Sequence, residues 1–326
     1  MERRRARPGV VEPLRFGLVG PGRTRNGLGP FLAKHLAVAG GRVVAVAGRD
    51  PARTAAAAAA LGRDLGWPVA AHASLADLVG RGDIDALVIA SPIDAHLPAL
   101  RAALAARLPA LCEKPLADRH AAEEVQATIA AFAAEGLLLA ENCQWPFALA
   151  ALQERGVVPR GLPRSFAMRL SPTGRGREML VESLSHPLSL VQALAGEGAA
   201  WALVGAAFST RAPDAEAMRV ELELDAGGQR CALALELVRC PEQPRPAWFA
   251  LDGVRCEREL ILPAYRWGFR HQGGFEDVGD PQAALVYGFV ASLPEPDLDL
   301  IRRHAATLAA RARLFTDVVV AFDAGA

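Results

Sequence analysis

RFGLVGPGRTRNGLG, from Arg15 to Gly29, is the stretch that decides the fold. Arg15–Gly20 reads as a buried strand, and Leu28–Ala39 reads as the helix that follows it. Between them stand Gly20-Pro21-Gly22, then Gly27 and Gly29. A glycine turn between a strand and a helix lets the backbone come close to a pyrophosphate, and the helix N-terminus stabilises the negative charge. The spacing is longer than G-x-G-x-x-G, because Arg23-Thr24-Arg25-Asn26 extends the loop. The place of this turn in a strand–helix unit makes Gly20, Gly22, Arg23, Thr24, Gly27 and Gly29 candidates for holding a dinucleotide.

Downstream the alternation continues. Arg42–Ala47 (RVVAVA) is a second strand, closed by Gly48. Pro51–Leu61 is a helix, with Asp50 as its N-cap and Pro51 at the first helical position. Its run Ala55–Ala60 is strong helix former rather than low complexity. Ile84–Ala90, Pro109–Cys112 and Leu137–Ala140 are further strands, separated by helices over Asp94–Ala106 and Asp118–Ala134. Alternating strands and helices predict an α/β, doubly wound parallel sheet: a Rossmann dinucleotide-binding domain.

After Asn142 the pattern changes. A helix is expected near Phe147–Arg155, followed by strands at Ser165–Leu170, Trp201–Thr210, Met218–Leu224, Arg230–Val238, Trp248–Leu251 and Glu257–Leu262. Several alternate apolar and polar residues, as in RVELEL at Arg219–Leu224, which marks a predominantly antiparallel open sheet. Helices are expected at Met179–Ala195 and Asp299–Phe322. The division read from this is a disordered basic tail at 1–13, a Rossmann domain at 14–142 and an α+β substrate and dimerisation domain at 143–326. The closing helix is a candidate to pack back on the Rossmann domain.

Composition narrows the class of function. A chain of 326 residues has length for two domains, and 52% hydrophobic residues supply their cores. Its 36 basic and 36 acidic residues balance, which argues against nucleic acid as a partner. Arg3, Arg4, Arg5 and Arg7 read as a solvated tail, with no apolar segment before Pro13 to make a secretory signal. No apolar run is long enough to span a bilayer, so the expectation is a cytoplasmic protein acting on a small molecule. Five scattered cysteines without a C-x-x-C pair suggest neither disulfides nor a metal site.

The end of the second strand faces the adenosine ribose in such folds. Gly48-Arg49-Asp50 offers an arginine for a 2′-phosphate, while Asp50 is better used as a helix cap. The expected cofactor is NADP(H), with NAD(H) as the alternative.

Ser91-Pro92, His96 and then Cys112-Glu113-Lys114-Pro115-Leu116 resemble the glucose-fructose oxidoreductase / inositol dehydrogenase (Gfo/Idh/MocA) family. That family also carries Asp-x-x-x-His-x-x-Asp on a helix of its second domain. Here His186 matches, Glu182 replaces the first aspartate and Ser189 the second. The resemblance implies hydride transfer to or from a hydroxyl/carbonyl group of a sugar-like or cyclitol-like substrate. It places Ser91, His96, Glu113 and Lys114 near the cofactor. It implies that Lys114 and His186 flank the substrate oxygen, with His186 moving the proton and Lys114 stabilising charge. The i, i+4 spacing of Glu182 and His186 predicts a carboxylate that orients the imidazole. Gln144, Trp145, Arg175 and Arg177 are candidate substrate contacts. Two other readings stay open: reduction of a C=N or conjugated C=C bond, and a non-catalytic dinucleotide sensor.

Finally, the second domain has too few helices to cover both faces of its sheet. An apolar outer face formed by Val220, Leu222 and Leu224 predicts a homodimer or homotetramer built through that sheet. The opposite register would present Glu221 and Glu223 instead.

Overall fold

The computed structural model describes residues 12–22, 28–196 and 198–325. Most of the basic tail expected at 1–13 lies outside the described residues, as do Arg23, Thr24 and Gly27. Contacts divide the chain into two compact units. One holds the chain up to Cys112, Leu137–Ala140 and Val286–Pro296; the other holds Glu113–Gly136, Glu141–Leu285 and the chain from Asp297 onward.

The first sheet grows from β1 (Arg15–Val19), α1 (Leu28–Val38), β2 (Arg42–Ala47), α2 (Pro51–Leu65), β3 (Ala70–His72) and α3 (Leu75–Gly80). It continues through β4 (Ala86–Ile89), α4 (His96–Ala105), β5 (Ala110–Cys112), α5 (Ala122–Ala134) and β6 (Leu139–Glu141). The strand order β3-β2-β1-β4-β5-β6 is that of the doubly wound dinucleotide-binding sheet. Asp50 caps α2 as the sequence predicts, its side chain accepting from the Arg53 backbone N–H. The reversal of strand order between β1 and β4 leaves a crevice at their C-terminal ends, where such sheets bind ligands.

The second sheet collects α6 (Trp145–Glu154), β7 (Ser165–Leu170), α7 (Gly176–Ser183), α8 (Ser185–Ala195), β8 (Trp201–Phe208), β9 (Ala217–Ala226) and β10 (Gln229–Val238). It is completed by β11 (Ala247–Leu251), β12 (Val254–Ile261), β13 (Arg266–His271) and β14 (Gly274–Gly279), and α9 (Pro281–Ala291) and α10 (Leu298–Asp323) close the chain. Its order is β14-β13-β12-β11-β7-β10-β9-β8. The sheet is antiparallel apart from the central β7–β10 pair, which is parallel. One face carries Met168, Leu222, Leu233, Phe249 and Phe269 into a core shared with α6, α8 and the last turns of α10.

Register settles which face is apolar. Met218, Val220, Leu222 and Leu224 of β9 are buried, while Arg219, Glu221 and Glu223 are exposed. The outward apolar face expected from the alternation is therefore the inward one. Across β10, β7 and β11 the outer face carries Ala232 and Ala234, Ala167 and Ala250, as the pairing Ala234–Ala167–Ala250 shows. The single helix expected over Met179–Ala195 is two, α7 and α8, broken at Leu184. Pro187 is the physical reason: without an N–H it cannot bond the Ser183 carbonyl four residues back, so it fits only in the first turn of a new helix.

Candidate active site

Within the first unit, the glycine turn is built for close backbone approach. Gly20 has φ +81°, and a Cβ there would lie 2.7 Å from the Ala90 carbonyl oxygen and the Ser91 nitrogen. A Cβ at Gly29 would lie 2.8 Å from the Gly20 carbonyl oxygen. These two positions hold β1, the loop after β4 and the start of α1 at backbone contact, and Gly22 lies between them in the chain. Ser91 Oγ is buried there with no hydrogen-bond partner among the described residues. An unspent hydroxyl beside a glycine cradle at the switch point fits a bound dinucleotide. His96 is buried, with Nε2 2.8 Å from the Ser91 carbonyl oxygen, so its ring holds the turn into α4. Arg49 is exposed beyond β2 and pairs with Asp94 at 2.9 Å. Exposed pairs contribute little and part easily, so its guanidinium stays available to an incoming phosphate.

Within the second unit, Lys114 and His186 come together with the carbonyl end of α7. Lys114 Nζ donates to the Glu182 carbonyl oxygen at 2.5 Å, in the last turn of α7. An ammonium is favoured there by the partial negative charge at a helix C-terminus. The Glu182 carboxylate points elsewhere: it accepts from the Gly174 N–H at 3.1 Å and from the Thr173 N–H at 3.2 Å. It thus ties down the loop before α7, and the expected carboxylate–imidazole pair with His186 is not made. His186 Nδ1 is instead buried with no hydrogen-bond partner among the described residues. The break at Leu184 explains this, because Glu182 and His186 belong to different helices. Ser189 Oγ donates back to the His186 carbonyl oxygen at 2.7 Å.

Charge around His186 is one-sided. Burial, then Lys114, Arg258 and Arg311, hold its pKa well below the ordinary histidine value. It is therefore a neutral imidazole at neutral pH. Glu113 is enclosed and rises to about 7, driven by burial and opposed by Lys114 and by the hydrogen bond from Asn142. Gln282 Nε2 donates to Asn142 Oδ1 at 2.6 Å, and Asn142 Nδ2 donates to Glu113 Oε1. Beside this chain of amides, Arg311 donates to Glu141 at 2.7 Å and to Gln192 at 2.8 Å. Burial pulls Arg311 down, but Glu141 keeps it above its ordinary pKa.

The other candidates fall outside this cluster. Trp145 is in the core, edge-to-face with Phe249, Trp267 and Phe269, although its ring also stands 6.5 Å from that of His186. Gln144 is half-buried at the N-cap of α6. Arg175 pairs with Glu216, and Arg177 grips Asp118 and Asp323. Arg177 is thereby spent on structure, whereas the Arg175–Glu216 pair is exposed. Asn142, Gln282, Glu141 and Arg311 were not foreseen. Glu141-Asn142 could have been: two polar residues directly after the apolar run of β6 mark the ligand end of a parallel strand. Gln282 and Arg311 carry no local signal.

Among the described residues no group of three or more histidines, cysteines and carboxylates could hold a metal ion. No helix among them is long and apolar enough to cross a membrane.

A doubly wound sheet with a glycine cradle at its switch point, leading into Glu113-Lys114-Pro115, defines a dinucleotide-binding protein of the Rossmann class. Residues 14–143 match the Gfo/Idh/MocA family model, an oxidoreductase family with an NAD-binding Rossmann fold. It is 33% identical over 184 residues to inositol 2-dehydrogenase of Streptomyces avermitilis, covering 52% of each chain. It is 42% identical over 132 residues to dTDP-3,4-didehydro-2,6-dideoxy-alpha-D-glucose 3-reductase of Streptomyces antibioticus, covering 40% of this chain and 36% of that one. The chain spans 23% to 52% of the length of the curated relatives it matches. The fold as a whole is similar to that of UDP-N-acetylglucosamine 3-dehydrogenase from Acidithiobacillus ferrooxidans, with TM-score 0.67 and 20% identity over 96% of this chain and 98% of that one.

Proposed function

We propose that this chain is an NADP(H)-dependent oxidoreductase that moves a hydride to or from a hydroxyl/carbonyl group of a sugar-like or cyclitol-like substrate. The observation that carries the reading is a neutral imidazole, His186, set among cations that include Lys114. When bound, a nicotinamide dinucleotide supplies or accepts the hydride. A neutral His186 accepts the hydroxyl proton in the oxidising direction, and the Lys114 ammonium stabilises negative charge developing on the same oxygen. In the reducing direction the proton returns from the imidazolium. Glycine at 20 and 29, with Ser91, would hold the pyrophosphate region, and Glu113 would keep Lys114 in place through Asn142 and Gln282.

The choice of NADP(H) rests on Gly48-Arg49. NADPH is expected to bind several-fold more tightly than NADH in a fluorescence titration, and Arg49→Ala to narrow the gap. Loss of an exposed ionic contact is worth up to about 1 kcal/mol, or several-fold in affinity. Equal affinities in the unmodified protein would refute the preference.

The dimer proposal now rests on the outer face as it is: a patch of alanines bordered by Arg219, Glu221, Glu223 and Glu236. Two copies related by a two-fold axis can set such a patch against itself and interlock opposite charges at its rim. Light scattering at low micromolar concentration should give the mass of two or four chains. A clean mass of 34.4 kDa, that of one chain, would sink it.

A further inference from the structure

Many arginines of the second unit are paired with carboxylates. Arg177 has Asp118 and Asp323, Arg311 has Glu141, Arg239 has Glu216 and Arg270 has Glu259. Arg258 and Arg245 are among those that, within the described residues, meet no carboxylate within ion-pair distance, and Arg258 differs from the others in standing beside the tryptophans next to His186. Arg258 stands on the inner face of β12, next in alternation to buried Cys256. Its guanidinium carbon lies 4.8 Å from the Trp267 ring and 5.5 Å from the Trp145 ring, and the Trp145 ring stands 6.5 Å from that of His186. One Nη2 donates to the Arg245 carbonyl oxygen at 2.6 Å. Arg245 Nε is buried with no partner, and so is His186 Nδ1.

Two like charges are thus held close enough to repel, partly out of water, and Arg258 is close enough to act on His186. Unpaired charge in such a place is costly. Burial and the neighbouring Arg245 pull Arg258 down to about 10, which reports the same uncompensated charge. Bracing two tryptophan rings would not need a second arginine. The tryptophans fix the plane of the Arg258 guanidinium, and a fixed planar fork matches the two oxygens of a phosphate or carboxylate.

We propose that Arg258 and Arg245 form a subsite for an oxyanion, a phosphate or carboxylate group of the substrate, beside His186. The proposal deepens the reading of His186 and Lys114 as the reaction centre and rests on it. It separates two kinds of substrate that the family reading leaves together. A neutral polyol would leave both guanidiniums unpaired; a nucleotide-linked sugar or a sugar acid would pair them. It also gives the oxyanion a second effect, because negative charge near His186 opposes the cations that keep it neutral.

The test uses the full chain saturated with NADPH, so that the dinucleotide turn is occupied. UDP, D-gluconate and neutral myo-inositol are titrated separately by calorimetry. The result expected is saturable binding of UDP or of gluconate, weakened about ten-fold or more in Arg245→Gln and in Arg258→Met. Which of the two binds distinguishes phosphate from carboxylate. Arg258→Met keeps an apolar stem against the tryptophans; should it fail to fold, the less enclosed Arg245→Gln decides alone. Undiminished anion binding in the variants overturns the proposal, as does binding of myo-inositol alone. An anion that competes with NADPH also overturns it, since it would then sit at the dinucleotide turn. Failure of both NADPH and NADH to bind would retire the dehydrogenase reading, and the same anion titrations without cofactor would still read Arg245.

Discussion

His186→Ala is expected to lower turnover by about 10²–10⁴-fold, the range that a positioned acid–base group supplies. Affinity for the nicotinamide cofactor should persist, because the glycine turn is untouched. The pH profile carries the sharper signature. His186 has a depressed pKa, so its capacity to accept a proton is present above the ordinary histidine value and lost only as pH falls through its own lower one. The unmodified protein should therefore keep its oxidising activity to a pH well below 6.5, and the alanine variant should lose that acid limb. The measurement is reduction of NADP⁺, followed at the nicotinamide absorbance, with a substrate found by screening hydroxyl compounds. Normal turnover in the variant would remove His186 from the chemistry.

Lys114→Met should lower turnover by about 10²–10³-fold, comparable to removing one preorganised stabiliser of developing charge. It should also move the acid limb. After burial, Lys114 is the largest influence holding His186 down. Taking its charge away lets the imidazole rise toward its ordinary value, so the limb shifts to higher pH. A lysine that served only to brace the end of α7 would leave the limb to shift without the fall in the rate plateau. Unchanged turnover and an unshifted limb together would refute both roles.

The Rossmann half was legible because period and punctuation agree there. Arg15–Val19 and Arg42–Ala47 are short apolar runs closed by glycine, and Asp50-Pro51 announces a helix start that the structure reproduces. β3 and α3 were missed because three and six residues are too few to display a period. β13 and β14 were missed for a different reason: glycines at 268, 273, 274 and 279 mask the alternation, and the hairpin gains its register from pairing with β12. α9 has hardly any polar face, so periodicity had nothing to detect. At the site, Lys114 and His186 were readable from short motifs. Spacing alone misled on Glu182, because i, i+4 implies a shared face only within one unbroken helix, and Pro187 breaks it. Arg258, Arg245, Gln282 and Arg311 approach the cluster from distant parts of the chain, and no local pattern announces side chains gathered by tertiary packing.

The chain passes five times between its two compact units, at residues 112, 136, 140, 285 and 296. α5 follows β5 in sequence yet belongs with the second unit, where it packs along α10 and Gln126 donates to the Ala309 carbonyl oxygen at 2.9 Å. For a lineage that diversifies by recombination, this sets where a crossover can fall. A junction near residue 142 that joins one ancestor's nucleotide half to another's substrate half mates α5 with a foreign α10. Inheritance of new substrate range in such a protein therefore proceeds more readily by substitution within the second sheet than by exchange of whole modules.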